Sequence, residues 1–180
     1  MAKQRYSRDY RLSETFDEKG HVHVDYEYIG DDWFFVSNPD VILREKKLAI
    51  LFCVIGWTVW IGSLIPPTAG MHRLYIALPY VFLAVPLAMY VRFTSAFYQM
   101  KEPLEHRHAD RLNNKHPLTG FLMTVFGMIS AILEAILLLR GQGSGSADII
   151  LEACALVLLY LGASIYRRKD KIRAEVRKGK

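Results

Sequence analysis

Between Leu118 and Leu139 the chain runs for 22 residues with a single charge, Glu134. At about 1.5 Å of rise per residue, a helix of that length crosses the hydrocarbon core of a bilayer. Three shorter apolar blocks repeat the pattern: Leu48–Ile65, Leu74–Val91 and Ile149–Tyr166, with Glu152 as their one charge. A soluble helical bundle needs a polar face on every helix, and the stretch from Leu48 to Trp57 has none. The expected fold class is therefore an all-α membrane protein, a four-helix transmembrane bundle. The bundle domain is expected over residues 38–180, with helices at 48–65, 74–91, 118–139 and 149–166 and a basic tail at 167–180.

Lys and Arg fall unevenly around these blocks. The first 47 residues, the 92–117 loop and the tail together hold 21 of the 23 basic residues. By the positive-inside rule both termini and the middle loop are expected in the cytoplasm, in a multi-pass protein of the plasma membrane. The sequence pI near 9.2 then reports topology. Juxtamembrane cations suit anionic lipid headgroups, so the lipid bilayer is the expected partner and nucleic acid is not. The first apolar block follows 47 polar-rich residues, which is the pattern of an uncleaved insertion signal rather than a cleaved leader. Cys53 and Cys154 fall at different depths and are not expected to pair.

Ahead of the first block, residues 1–37 predict a small cytoplasmic β-meander: strands at Tyr10–Phe16, His21–Ile29 and Trp33–Val36, with turns at 17–20 and 30–32. In the middle strand Val22, Val24, Tyr26 and Tyr28 alternate with His21, His23, Asp25 and Glu27. So small a sheet has little core of its own and needs something to dock on. Asn38-Pro39 suits the start of a helix running into the first block. Pro79 and Pro86 predict a bent second helix, and extension past Arg92 to Tyr98 is expected. In the middle loop Pro103 fits the start of a short helix that would align Glu102, His106 and Asp110. The tail reads as a cationic helix lying along the membrane.

Candidate functional residues are few. Gly120, Thr124, Gly127, Ala131 and Glu134 share one face of the third helix; the first four form a small-residue stripe suited to close helix packing in lipid. The Gly/Ser-rich loop at 141–146 is short enough to make the third and fourth helices antiparallel neighbours. That sets Glu134 and Glu152 at similar depth, where two carboxylates cannot both ionise easily, the arrangement a proton-coupled site needs. The structural alternative is a protonated acid bonded across helices, or one reaching Arg140, Arg73 or His72. The histidines at 21, 23, 106, 108 and 116 carry no metalloprotease spacing, and no metal or other cofactor is expected. Phosphate-binding, dinucleotide-binding, nucleophile-elbow and Cys-x-x-Cys motifs are absent, so catalysis is not expected. Two functions fit: a non-enzymatic accessory subunit with a cytoplasmic docking surface for a protein partner, or a small proton- or ion-coupled transporter or channel subunit, in which a homo-oligomer would supply the pathway.

Overall fold

The computed structural model describes residues 9–16, 22–143 and 145–176. It is mostly helical (73%) and contains four helical spans long and apolar enough to cross a membrane. They are Pro39–Ser63, Leu74–Gln99, His106–Leu139 and Ser146–Arg167. Each is longer than the apolar block it carries, because the helices extend into polar sequence at one or both ends; the first stops at Ser63, two residues short of the Leu48–Ile65 block's end.

Helix α1 (Pro39–Ser63) begins where Asn38-Pro39 indicated: proline at the first turn gives up no bond that a helix would have made. The Asn38 side chain makes no cap; its carbonyl accepts from the Ile42 amide. The second span divides at Leu83 into α2 (Leu74–Phe82) and α3 (Ala84–Gln99). Pro86 lacks the N–H that would reach Phe82, and the chain tightens there, with Leu83 N–H bonding Tyr80 O at 3.2 Å. The Trp60 indole N–H also reaches Tyr80 O, at 3.0 Å, and pins α1 across the bend.

The third span starts at His106, twelve residues before the apolar block. It runs as α4 (His106–Asp110), a widened π-helical turn (Arg111–Lys115) and α5 (His116–Leu139). Pro117 accounts for the widening. It has no N–H to give the Asn113 carbonyl, and the His116 amide reaches back five residues to Arg111 O instead. Glu102 lies outside this helix, so the predicted alignment of Glu102 with His106 and Asp110 does not form. Helix α6 (Ser146–Arg167) returns antiparallel to α5.

The two are in close backbone contact. A methyl group added at Gly162 would lie 2.6 Å from Thr124 N, and one at Gly120 would lie 2.7 Å from Tyr166 N. One at Gly127 would lie 3.0 Å from the Leu159 backbone. The small-residue stripe is thus the seam against α6. The buried face of α6 is Asp148, Leu151, Ala155, Leu158 and Gly162, stepping by three and four.

The three-strand meander does not form. Strands β1 (Tyr10–Phe16) and β2 (Val22–Tyr28) pair antiparallel as a hairpin, Tyr10 opposite Tyr28. The 17–20 turn and His21 lie outside the described residues. Strand β3 (Trp33–Phe35) pairs instead with β4 (Ala174–Val176) from the tail. Both edges of β3 are occupied, since Trp33 also exchanges two backbone bonds with Leu104, at 2.8 and 3.0 Å. No edge remains for β2. The tail is not the predicted cationic helix along the membrane either: one 3-10 turn (Lys169–Lys171) leads into β4. Ile172 and Ala174 are buried and draw it onto the bundle. The Asn113 side chain grips Ala174 from the other edge, accepting from its N–H at 3.0 Å and donating to its carbonyl at 2.8 Å.

Candidate functional site

Buried acids lie at opposite ends of the bundle, Glu45 at one and Glu134 with Asp148 at the other. The end that holds the hairpin, middle segment and tail is called the basic end, and the end with the 64–73 and 140–145 loops the far end.

At the far end, Glu134 projects from the last turns of α5 and is 1% exposed. Among the described residues no N–H, hydroxyl or cation reaches either of its carboxylate oxygens, and the side chain it meets is the Asp148 carboxyl group. Its nearest acidic neighbour is Asp148, in the first turn of α6 and 0% exposed. Glu152, the neighbour expected from the sequence, is more distant in effect and only half-buried, with one oxygen, Oε2, buried and unbonded. The helix phase explains this correction. Asp148 is on the same face as Leu151 and Ala155, and Glu152 is one residue round from it. An ionised carboxylate only accepts hydrogen bonds, so two ionised acids cannot satisfy each other.

The 64–73 loop closes this cluster. Gly70 N–H donates to Asp148 Oδ1 at 3.2 Å. The Gly70 Cα is so close to the Glu134 carboxyl group that a Cβ there would overlap Oε2, at 2.3 Å. Only glycine lets the loop backbone come down on the two acids. Thr68 is buried beneath it, its hydroxyl accepting from Met71 N–H at 3.2 Å. Arg73, a sequence candidate for pairing with Glu134, instead bonds Gln142 Oε1 at 2.6 Å and Tyr75 Oη at 3.0 Å. That cation latches one loop to the other.

At the basic end, Glu45 is 5% exposed and accepts from Arg168 Nη1 through both oxygens, at 2.7 and 2.9 Å. The guanidinium also lies over the Phe52 ring, 5.6 Å from its centre. Beside the pair, His116 is 3% exposed between Tyr90 and Phe93, its Nδ1 unbonded. Lys46 closes the C-terminus of α3 by donating to Met100 O at 2.7 Å. Sequence reasoning passed over Glu45 among its cationic neighbours. The available signal was its phase: it lies three residues after Ile42 and four before Ala49, both buried on the inward face of α1.

The hairpin meets the bundle at this end. Tyr10 Oη donates to Glu105 Oε2 at 2.6 Å, and His106 N–H donates to Tyr28 Oη at 2.9 Å. His106 Nδ1 lies 3.0 Å from Asp9 and its ring stacks on Trp33. Burial, then the Glu105 hydrogen bond and charge, push the Tyr10 phenol up to about 12, and burial raises Tyr28 as well. Glu102 Oε1 accepts from Phe35 N–H at 2.8 Å. The middle-loop histidines therefore part company: His106 faces the hairpin and His116 the core. Among the described residues no three His, Cys, Asp or Glu side chains converge as metal ligands. The Cys53 thiol contacts Thr94 Oγ1 at 3.2 Å and both cysteines are free.

Four apolar spans are consistent with a multi-pass membrane protein. Comparison of the chain with protein-family models, with curated proteins and with solved structures finds no match.

Proposed function

We propose that the chain is a non-enzymatic accessory subunit of the plasma membrane that holds a protein partner on its basic end, with both termini and the middle segment in the cytoplasm. The distribution of 21 of 23 cations to one end supports that orientation. The observation that carries the docking role is the β1–β2 hairpin. It is anchored at its base by Asp9, Tyr10 and Tyr28, and among the described residues neither strand has a second neighbour. Open strand edges fixed to a rigid platform accept an extended segment of another chain by strand addition. The platform itself is knitted from three separate stretches of sequence, β3, Leu104 and β4, which fixes the hairpin's position over the bundle.

Deletion of residues 2–29 tests this. It removes the hairpin and leaves β3, which the platform needs. The truncated protein is expected to stay in carbonate-washed membranes and to lose a stoichiometric partner that copurifies with the full chain. Retention of every partner would sink the docking role.

A second reading has its own observation, the buried Glu134 set against Asp148. A pair of acids able to share a proton suits a small oligomeric proton- or ion-coupled transporter or channel subunit. Glu134→Gln should then abolish pH-dependent flux in proteoliposomes while the protein still folds; unchanged flux would remove Glu134 from that role.

A further inference from the structure

A groove of about 690 Å³ runs along the basic end between α3 and the third span. Residues spaced by three and four on α3, from Met89 through Arg92 and Phe93 to Gln99, form one wall. Arg111 and Lys115, one turn apart, form the other. Among the described residues none of these three cations has an ion pair or side-chain hydrogen bond, although carboxylates are paired elsewhere at this end. Arg92 is the informative one. It lies seven residues inside the end of α3, about 10 Å deeper than Gln99. An exposed guanidinium at that depth, facing neither a carboxylate nor a carbonyl, is costly at a membrane boundary unless an anion comes to it. The wall changes character along its length: Gln99, Arg111 and Lys115 at the mouth, Met89 and Val91 at the inner end.

We infer that this groove binds the phosphate of an anionic phospholipid, with Arg92, Arg111 and Lys115 around the headgroup and an acyl chain along Met89 and Val91. Guanidinium groups suit phosphate oxygens because their N–H donors are planar and paired. Basic clefts between spanning helices at the cytoplasmic side provide this recognition generally. The inference rests on the chain crossing a bilayer and is independent of the docking role.

The test uses the full chain in detergent micelles and native mass spectrometry, with phosphatidylglycerol, phosphatidylcholine and inorganic phosphate as probes. Phosphatidylglycerol is expected to bind in preference to phosphatidylcholine, and millimolar phosphate is expected not to displace it. Each of Arg92→Gln, Arg111→Gln and Lys115→Gln should weaken binding roughly fivefold, and Arg167→Gln, outside the groove, should leave it unchanged. Equal binding of the two lipids by the wild-type chain would overturn the proposal without any variant having to fold. Displacement by phosphate would overturn the lipid as the source of the anion. A loss as large in Arg167→Gln as in the groove variants would reduce the effect to net charge and overturn the site. Resistance to carbonate extraction separates the premises: a chain washed out of membranes fails the bilayer reading, and a retained chain without lipid preference fails the groove alone.

Discussion

Glu45 and Glu134 are the same residue type, each almost completely buried in a long helix, at opposite ends of one bundle. Glu45 is met by Arg168 through both oxygens. Glu134 is met by another acid and by the backbone of Gly70, while the nearby Arg73 is engaged with Gln142. The contrast follows from what surrounds each. The basic end holds nearly all the cations and a polar layer that can satisfy a charge. The far end has two short loops and an apolar wall, and among the described residues Glu134 has no ion pair there. Burial alone therefore says little about the role of a buried acid; the identity of its neighbour separates an acid clamped by a cation from one set against another acid.

The largest expected effect breaks or keeps that contrast directly. Glu45→Gln leaves Arg168 without its counter-charge and should cost about 3 kcal/mol, the low end for a broken buried pair because Arg168 is 28% exposed. Replacing both residues by Met should recover most of the loss. Glu134→Gln keeps the shape of the side chain and should cost under about 1 kcal/mol, since it orphans no cation. Unfolding of the purified variants in detergent measures all three. Equal losses for the two Glu→Gln changes would erase the distinction between the ends.

A smaller effect is expected where the loop meets the acids. Gly70→Ala drives a methyl group into the Glu134 carboxyl group, and the side chain has little room to retreat. A cost of about 1 kcal/mol is expected for the forced shift. In a Glu134→Ala background the same change should be close to neutral, because the obstructing atoms are gone. A double-mutant cycle gives the coupling. No coupling between the two positions would mean that the loop does not rest on Glu134, and the closed character of the far end would fall.

The spans were legible in the sequence because apolar length is a one-dimensional property. So were the bend near Pro86 and the start at Pro39, since proline acts on its own helix. The seam was legible too, as Gly120, Thr124, Gly127 and Ala131 share a face whatever they meet. What escaped depended on pairing between distant segments. Nothing local in Trp33–Phe35 tells that its neighbours are Leu104 and residues 174–176 instead of the adjacent β2. Nor does periodicity within α6 choose between Asp148 and Glu152, which lie only about 40° apart round the helix, until the seam with α5 fixes the rotation. Glu45 was hidden by composition, one acid among three cations, although its spacing from Ile42 and Ala49 marked it as inward-facing.

Alkaline titration gives the mildest probe of the two ends. Tyr10 donates its phenolic proton to Glu105, and its ionisation is raised from the ordinary 10.0 to about 12. A phenol that ionises later in the folded protein contributes to docking fully below about pH 10. That contribution fades as pH rises through about 12, when a phenolate faces a carboxylate. The hairpin is therefore expected to loosen from the bundle across this window while the far end, with no tyrosine bonded to its acids, stays closed. Hydrogen exchange is too fast to follow there, so the readout is a fluorophore pair on the hairpin and on α4, with a second pair across the 64–73 and 140–145 loops as reference. Tyr10→Phe should begin with a weaker hairpin contact and show a flatter response over the same range. A reference pair that separates at the same pH as the hairpin pair would show the two ends coupled, and the separation of a solvent-responsive basic end from a sealed far end would have to be abandoned.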